Sequence, residues 1–274
     1  MSHRLQNQRY ELKYHLSEAK ALRVREFVRA HLRIDEYSAR HADGRYPTLS
    51  LYLDSDGLDS YWRVLNGDKN RFKLRLRYYD DLPDSPVFFE IKRREDNVML
   101  KERAGVRKNA VRRLLGGHLP QREDLLNPRD PKAFGALDRF CRLKHDLSAS
   151  PKLHVAYARE AYENPGHNDV RVTFDHRVES QPQHHTDLVA QSPHPHSVFG
   201  DTVILELKFT TRYPRWFRDL VQTFDCVQEG AAKYSTGILD KGEDWVTRPS
   251  SPERLLEEFM TAARYPRLFE AARP

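Results

Sequence analysis

The sequence predicts an α+β domain, an eight-stranded antiparallel β-barrel that forms a tunnel with a polar, basic lumen and is surrounded by helices. Three observations predict it. About eight segments alternate apolar and polar residues with a period of two, helical segments lie between them, and several strands carry lysine or arginine on their polar face. Because 274 residues can bury a sizeable core, we expect residues 1–274 to form a single domain.

Five of the predicted strands lie in the first part of the chain. Apolar and polar residues alternate around residues 10–14, 49–53, 72–78 and 87–91, and residues 98–107 are typical of the return strand of a hairpin. Residues 152–160, 169–178 and 203–209 supply the other three. Since each strand has one apolar and one polar face, a closed barrel can enclose the polar faces while helices cover the apolar ones.

Helical segments connect these strands. Ser17 is predicted to be the N-cap of a first helix with one apolar face, and residues 58–65 predict a short helix that ends at Gly67. Apolar residues within 134–141 predict a third helix, and Pro214 opens a fourth. Residues 251–264 predict a C-terminal helix, and the low-complexity segment 178–200 predicts a flexible loop.

The overall composition excludes several classes of protein. No run of 18 apolar residues exists, so we expect no membrane-spanning helix, and the polar N-terminus predicts no secretory signal. Two cysteines, Cys141 and Cys226, do not make a disulfide framework, so we expect a cytoplasmic protein. The 46 lysines and arginines exceed the 40 acidic residues by 6, which indicates an anionic partner only weakly.

The position of the cations is more informative than their number. Residues 71–77 place four cations on one face of a single strand, a pattern that a solvated outer face would also explain. The pattern recurs, however, on the polar sides of separate strands, at Lys13, Arg75, Arg77, Lys92, Arg159, Arg171 and Lys208. Because cations in an enclosed lumen are costly unless an anion enters, these strands predict an elongated polyanion as the ligand.

Carboxylates share the faces that carry these cations. Three strands contain Glu-x-Lys, at Glu11–Lys13, Glu90–Lys92 and Glu206–Lys208. A carboxylate beside a polyphosphate is repulsive unless a divalent cation lies between them, and Mg²⁺ and Mn²⁺ favour carboxylate and phosphate oxygens together. Glu206 is therefore a candidate metal ligand, with Glu11 and Glu90 as second choices. For the latter two, a salt bridge inside the lumen is at least as good an interpretation.

Eight short motifs occur in order between about residues 9 and 240. They are Arg9-Tyr-Glu-Leu-Lys-Tyr14, Ser50-Leu-Tyr-Leu-Asp54, Arg71-x-Lys-x-Arg-x-Arg77, Phe89-Glu-Ile-Lys-Arg93, Leu100-Lys-Glu-Arg103, Tyr157-x-Arg159, Leu205-Glu-Leu-Lys208 and Lys233-Tyr-Ser235. In this order they resemble the motifs of the triphosphate tunnel metalloenzyme superfamily. Within it, the chain is most similar to the catalytic domain of the vacuolar transporter chaperone (VTC) polyphosphate polymerases.

The resemblance implies a metal-dependent enzyme that transfers the γ-phosphate of ATP to a growing inorganic polyphosphate chain. It implies that Glu206 holds Mn²⁺ or Mg²⁺, and it assigns catalytic roles to Arg75, Arg77, Lys92, Arg159 and Glu206. The phosphate- and nucleotide-binding residues that it implies are Lys13, Arg75, Arg77, Lys92, Lys101, Tyr157, Arg159, Lys208, Lys233 and Ser235. The expected partners are ATP and polyphosphate, and any membrane step would need a separate protein.

Two departures and three alternatives accompany this interpretation. The eukaryotic polymerases carry an N-terminal sensor domain and C-terminal membrane helices, and neither fits in this chain. Hydrolytic relatives often open with Glu-x-Glu-x-Lys, whereas position 9 is arginine here, which favours the VTC-like branch. A triphosphatase or a non-catalytic polyphosphate-binding subunit would use the same clamp. Nucleic-acid binding is disfavoured because the basic strands lack a stripe of exposed aromatic residues.

Overall fold

The structure is a computed structural model that describes residues 10–96, 98–165, 167–210 and 212–247. The helix predicted at residues 251–264 lies outside them. Within the described part of the chain, no helix combines the length and the apolar character needed to cross a bilayer.

One antiparallel sheet forms the centre of the fold. Its strands are β1 (Tyr10–Leu16), β2 (Arg33–Ile34), β3 (Tyr46–Asp54), β4 (Arg71–Tyr78), β5 (Val87–Glu95), β6 (Val98–Val106), β7 (Ser150–Asn164), β8 (His167–Pro182), β9 (His196–Ser197) and β10 (Val203–Phe209). The eight long strands follow the order β1-β10-β8-β7-β3-β4-β5-β6, while β2 pairs with β7 and β9 with β8. The prediction of eight main antiparallel strands with surrounding helices is therefore confirmed.

The sheet curls into a half-barrel instead of closing by hydrogen bonds. Among the described residues, no backbone ladder joins β1 to β6 at the two ends of the strand order. The gap is bridged by side chains instead, because Glu11 on β1 forms an ion pair with Lys92 on β5. The expectation of a fully closed barrel is corrected in this respect.

Seven helices accompany the sheet in the described residues: α1 (Glu18–Arg29), α2 (Asp59–Leu65), α3 (Val111–Leu115), α4 (Pro131–Asp146), α5 (Arg215–Thr223), α6 (Lys233–Lys241) and α7 (Asp244–Thr247). The predicted end signals are confirmed. The hydroxyl of Ser17 accepts a hydrogen bond from the Lys20 amide, Gly67 adopts a φ of +72° just after α2, and Pro214 immediately precedes α5.

The apolar faces of the strands pack outward against the helices. One cluster places Leu76 and Phe89 against Phe140 of α4, and another places Leu205 against Val24 of α1 and Phe217 of α5. Each such fully buried side chain contributes roughly 1.5–3 kcal/mol. This arrangement leaves the other face of the sheet, which carries the charged residues, on the inside of the curl.

The segment predicted as a loop at residues 178–200 is shorter and better anchored than expected. Strand β8 continues to Pro182, and β9 pairs with it again. Between them, Leu188 is buried in the core, and the Tyr78 hydroxyl donates a hydrogen bond to the Val189 carbonyl at 2.9 Å. The low-complexity composition concealed these apolar anchors, so the loop bounds are corrected to residues 183–195.

Candidate functional site

The strand register aligns the basic residues of β4 with those of β5 and β6. Lys73, Lys92 and Lys101 form one cross-strand row, and Tyr52, Arg75, Glu90 and Arg103 form the next. Since same-face residues on a strand are about 7 Å apart, the rows follow one another along the inner face. The inner face of these strands is therefore a surface of closely spaced cations.

The other wall of the tunnel is built by β1, β10, β8 and β7. Lys13 is opposite Glu206, and Glu206 is opposite Thr173, while Arg159 is opposite Asp175. Because both walls turn their charged faces inward, residues far apart in sequence meet across the curl. Arg171 is the exception among the predicted cations, since it pairs with Asp35 and Glu163 at the side.

Glu90 on β5, one strand in from the edge of the sheet, is fully engaged by cations. Its Oε2 atom lies 2.6 Å from Arg75, and its Oε1 atom lies 2.6 Å from Lys101 and 3.4 Å from Arg103. Burial alone would raise the pKa of Glu90, but Arg75, Lys101 and Arg77 lower it well below its usual value. The carboxylate is thus ionised and orients Arg75 and Arg103. Glu90 therefore forms salt bridges inside the lumen, as one of its two interpretations from the sequence predicts.

Arg77 has weaker contacts than Arg75, which is held by an ion pair with Glu90. Its Nε atom donates to the Ser50 hydroxyl at 3.0 Å, and its guanidinium lies 5.6 Å from the centre of the Tyr157 ring. Arg159 and Lys233 also face this ring, at 5.1 and 4.8 Å. Tyr157 therefore presents its ring to three cations, an arrangement that the sequence did not predict for it.

Glu206 lies at the centre of a cluster of cations. Its carboxylate is 2.5 Å from Lys208, 3.4 Å from both Arg159 and Lys233, and 3.6 Å from Lys13. Burial would raise the pKa of Glu206, but Lys208, Lys233 and Lys13 lower it well below its usual value. Glu206 is therefore ionised at neutral pH.

The start of helix α6 forms part of this cluster. Lys233 at its first turn lies 2.6 Å from Asp175, and the Ser235 hydroxyl accepts a hydrogen bond from Lys73 at 2.9 Å. Burial would lower the pKa of Lys233, but the carboxylates of Asp175 and Glu206 raise it above its usual value. A helix N-terminus carries positive partial charge, so α6 adds to the cationic character of the tunnel.

The inner face carries more cations than its carboxylates can neutralise. Burial lowers the pKa of Lys73 to about 8, with repulsion from Lys13 and Lys92, and it lowers the pKa of Lys208 to about 8, with repulsion from Arg159. Desolvation, Arg75 and Arg103 lower the pKa of Lys101 to about 7, although its side chain remains partly exposed. These shifts show a site that an anion would stabilise.

The carboxylates of the inner face could hold a metal ion only if substrate phosphates supplied further ligands. In the described residues, no group of three or more histidine, cysteine or acidic side chains lies close enough to hold a metal. Glu11 and Glu206 nevertheless share Lys13, which lies 3.2 and 3.6 Å from their carboxylates. Mg²⁺ in proteins is usually bound by one or two carboxylates plus substrate phosphates, and this pair suits that arrangement.

The structure thus brings together the predicted site residues, including Lys13, Arg75, Arg77, Lys92, Lys101, Arg159, Lys208 and Lys233, on one enclosed face. Four further residues, which the sequence does not predict as site residues, lie on the same face: Tyr52, Lys73, Arg103 and Asp175. Lys73 could have been found, since it shares the face of Arg75. No sequence pattern around Asp175 indicates a site residue, because its role depends on ion pairs with Arg159 and Lys233, which are distant in sequence.

Comparisons with known proteins identify the family of the chain. A family model described as the VTC domain matches residues 8–240. The chain belongs to the VTC domain family. Vacuolar transporter chaperone complex subunit 2 of Schizosaccharomyces pombe is 25% identical over 272 residues, an alignment that covers 82% of this chain and 36% of that protein. Vacuolar transporter chaperone complex subunit 4 of the same organism is 25% identical over 221 residues, an alignment that covers 69% of this chain and 30% of that protein.

The VTC domain chain therefore spans about a third of the length of these curated relatives. Among solved structures, a protein from Pyrococcus horikoshii OT3 aligns with 85% of this chain and 99% of its own, at 13% identity and a TM-score of 0.44.

Proposed function

We propose that this VTC domain is a metal-dependent polyphosphate polymerase that transfers the γ-phosphate of ATP to a growing polyphosphate chain. The observation that carries the proposal is the convergence of lysines and arginines from both walls and from α6 on one enclosed face. The lowered pKa values of Lys73 and Lys208 support it, since they reflect cations crowded beyond what the carboxylates neutralise.

Phosphoryl transfer needs little covalent help from a protein. Negative charge spreads over the oxygens of the transferred group, so catalysis depends on position and on electrostatic stabilisation. In our proposal Arg75, Arg77, Lys92 and Arg159 stabilise that charge. Arg75 and Arg159 are already oriented by Glu90 and Asp175, so their guanidinium groups need little reorganisation when the substrate enters.

The remaining basic and polar residues would bind the phosphate chain on either side of the transferred group. We assign this role to Lys13, Lys101, Lys208, Lys233, Ser235 and Tyr157. For Tyr157 the assigned contact is indirect, because its ring positions Arg77, Arg159 and Lys233. The end of an acceptor polyphosphate is already anionic, so the transfer does not require a strong general base.

We assign the metal site to Glu206, with Glu11 as a second ligand. Mn²⁺ or Mg²⁺, when bound, neutralises charge on the phosphate oxygens. The two carboxylates are ionised and are held together by Lys13, so they can approach an ion that phosphates also ligate. Glu90 is left out of this proposal, because within the described residues its salt-bridge partners Arg75, Lys101 and Arg103 bring no second carboxylate beside it.

The experiment is an incubation of the purified chain with ATP and Mn²⁺ or Mg²⁺. A polymerase produces ADP and long polyphosphate, which a gel resolves by length. A triphosphatase of the same fold produces ADP and free phosphate without polyphosphate, and that result would overturn the proposal. The Arg129→Ala variant, which removes an exposed arginine outside the tunnel, should behave like the unmodified chain.

A second candidate is a non-catalytic polyphosphate-binding subunit. It is favoured by the contacts of Glu206, the proposed metal ligand, because its carboxylate oxygens are already engaged by four cations and by the Thr173 hydroxyl. Polyphosphate binding that needs no metal and leads to no turnover would support this candidate. In either case we propose that the chain has partner proteins, since the relatives are named as subunits of a complex. We also propose a cytoplasmic location, which the free cysteines Cys141 and Cys226 support.

A further inference from the structure

At one end of the β3–β5 wall, aromatic side chains replace the cations. Tyr46 at the start of β3, Tyr79 just after β4 and Phe88 on β5 occupy inner-face positions, and Tyr37 lies beside them. The ring centres of Tyr37, Tyr46 and Tyr79 are 6.0–6.5 Å apart, and Tyr79 is 6.1 Å from Phe88. We call these four residues the aromatic rim.

The aromatic rim adjoins the phosphate-binding cations directly. Phe88 is the cross-strand partner of Arg77, and Tyr79 follows Arg77 by two residues, a separation of about 7 Å. The guanidinium of Arg103 lies over the Phe88 ring at 3.4 Å. A flat ligand on the rim would thus have its anionic substituent within reach of Arg77.

Part of the aromatic rim is open to solvent. Tyr37 is 53% exposed, and its ring is parallel to that of Tyr79 within 12°. A cluster that served only to close the end of the core would bury all of its rings, as Tyr46 is buried. The exposed ring of Tyr37, parallel to the half-buried Tyr79 and with the Arg40 guanidinium 5.4 Å from its centre, offers a nucleobase a stacking surface beside a phosphate site.

The opposite end of the same wall has a different chemical character. There Arg71 and Arg94 are cross-strand partners, and they line a cleft of about 470 Å³ together with Arg93, Glu95 and Asp96. This end is four residues along β4 from Arg75, about 13 Å, beyond the reach of three phosphates bound at the centre. The two ends therefore suit different parts of the reactants.

We propose that the aromatic rim binds the base of the nucleoside triphosphate, so that its phosphates extend inward past Arg77 toward Arg75. The growing polyphosphate then occupies the end lined by Arg71 and Arg94. This orientation rests on the proposed function, because it presumes that a nucleotide is the phosphoryl donor. It adds to that function a base-binding site and a direction of the chain through the tunnel.

The test compares a ligand that carries the nucleoside, a non-hydrolysable ATP analogue, with one that lacks it, inorganic tripolyphosphate. Calorimetric titration of the Tyr37→Ala variant should show the analogue binding about 10-fold more weakly and tripolyphosphate binding unchanged. Tyr37→Phe keeps the ring and should bind both ligands like the unmodified chain. Trp62→Ala, at a tryptophan 41% exposed on α2, is the matched control and should change neither affinity.

Tyr79→Leu tests the same surface from β4 and should reproduce the selective loss. An equal loss for both ligands, or no loss for the analogue in either variant, would overturn the base-binding site. If the unmodified chain binds tripolyphosphate and both variants bind the ATP analogue as tightly as the unmodified chain does, only this inference fails. If the unmodified chain does not bind tripolyphosphate at all, the proposed function fails as well.

Discussion

Glu11 of β1 faces Lys92 of β5 across the gap between the two ends of the sheet, with Oε2 and Nζ 3.8 Å apart. No described backbone hydrogen bonds close this gap, so charged side chains complete the wall. Burial would raise the pKa of Glu11, but Lys92 and Lys13 lower it below its usual value, so the residue is ionised. A carboxylate here both closes the tunnel and repels an entering polyanion.

Glu11→Gln should therefore have opposite effects on two measurements. Without metal, tripolyphosphate should bind several-fold more tightly, because one repulsive charge is removed. With Mn²⁺, turnover should need more metal, because the proposed second ligand is lost. Titration calorimetry and metal-dependent rates measure the two effects. Unchanged metal dependence would remove Glu11 from the proposed metal site.

Arg77→Ala should lower the rate of polyphosphate synthesis by at least ~10²-fold, because a cation that stabilises the transferred phosphoryl group is lost. Arg77 is suited to this test, since within the described residues it forms no ion pair with a carboxylate and its removal leaves no buried acid unpaired. Initial rates with saturating ATP measure the effect, and a rate close to that of Arg129→Ala would contradict the assignment.

Glu206→Gln should abolish metal-dependent turnover while the chain remains folded. Asp175 still pairs with Lys233 and Arg159 in this variant, so part of the cluster keeps its counter-charge. Rates over a range of Mn²⁺ concentrations test the first part, and far-ultraviolet circular dichroism tests the second. A variant with the metal dependence of the unmodified chain would show that the ligand lies elsewhere.

Polyphosphate binding should take up protons near pH 8. Lys73 and Lys208 have pKa values lowered to about 8, and an anion favours their charged forms. Both lysines gain charge as the pH falls through their pKa, so affinity for tripolyphosphate should increase between about pH 9 and pH 7. Calorimetry in buffers of different ionisation enthalpy measures the uptake. Lys208→Arg, which stays charged, should take up fewer protons, and equal uptake would contradict this assignment.

Lys233→Met should destabilise the fold by about 3 kcal/mol, because it leaves Asp175 buried with one cation fewer. Denaturant unfolding monitored by circular dichroism measures the change. Lys132→Met, at an exposed position of α4, is the control and should change the free energy of unfolding by less than about 0.5 kcal/mol. Equal values for the two variants would show that Lys233 has no structural role.

The sequence by itself determined which strands form and which faces of them are charged. Alternation with a period of two does not depend on the rest of the fold, so the strand at residues 203–209 was predicted with the bounds that the structure has. The same alternation placed Lys13, Arg75, Lys92 and Glu206 on inward faces. Local end signals such as Ser17 were equally reliable, because a cap depends only on residues within one turn.

Only the tertiary structure decided how these faces meet. The sheet remains open between β1 and β6, and Lys233 enters the cluster from a helix instead of a strand. The partners of Glu206 and Asp175 come from distant segments, and no local pattern encodes which of several cations will lie nearest. Charge on a strand face is a local property, whereas the pairing of charges depends on curvature and register, which the packing of the whole chain sets.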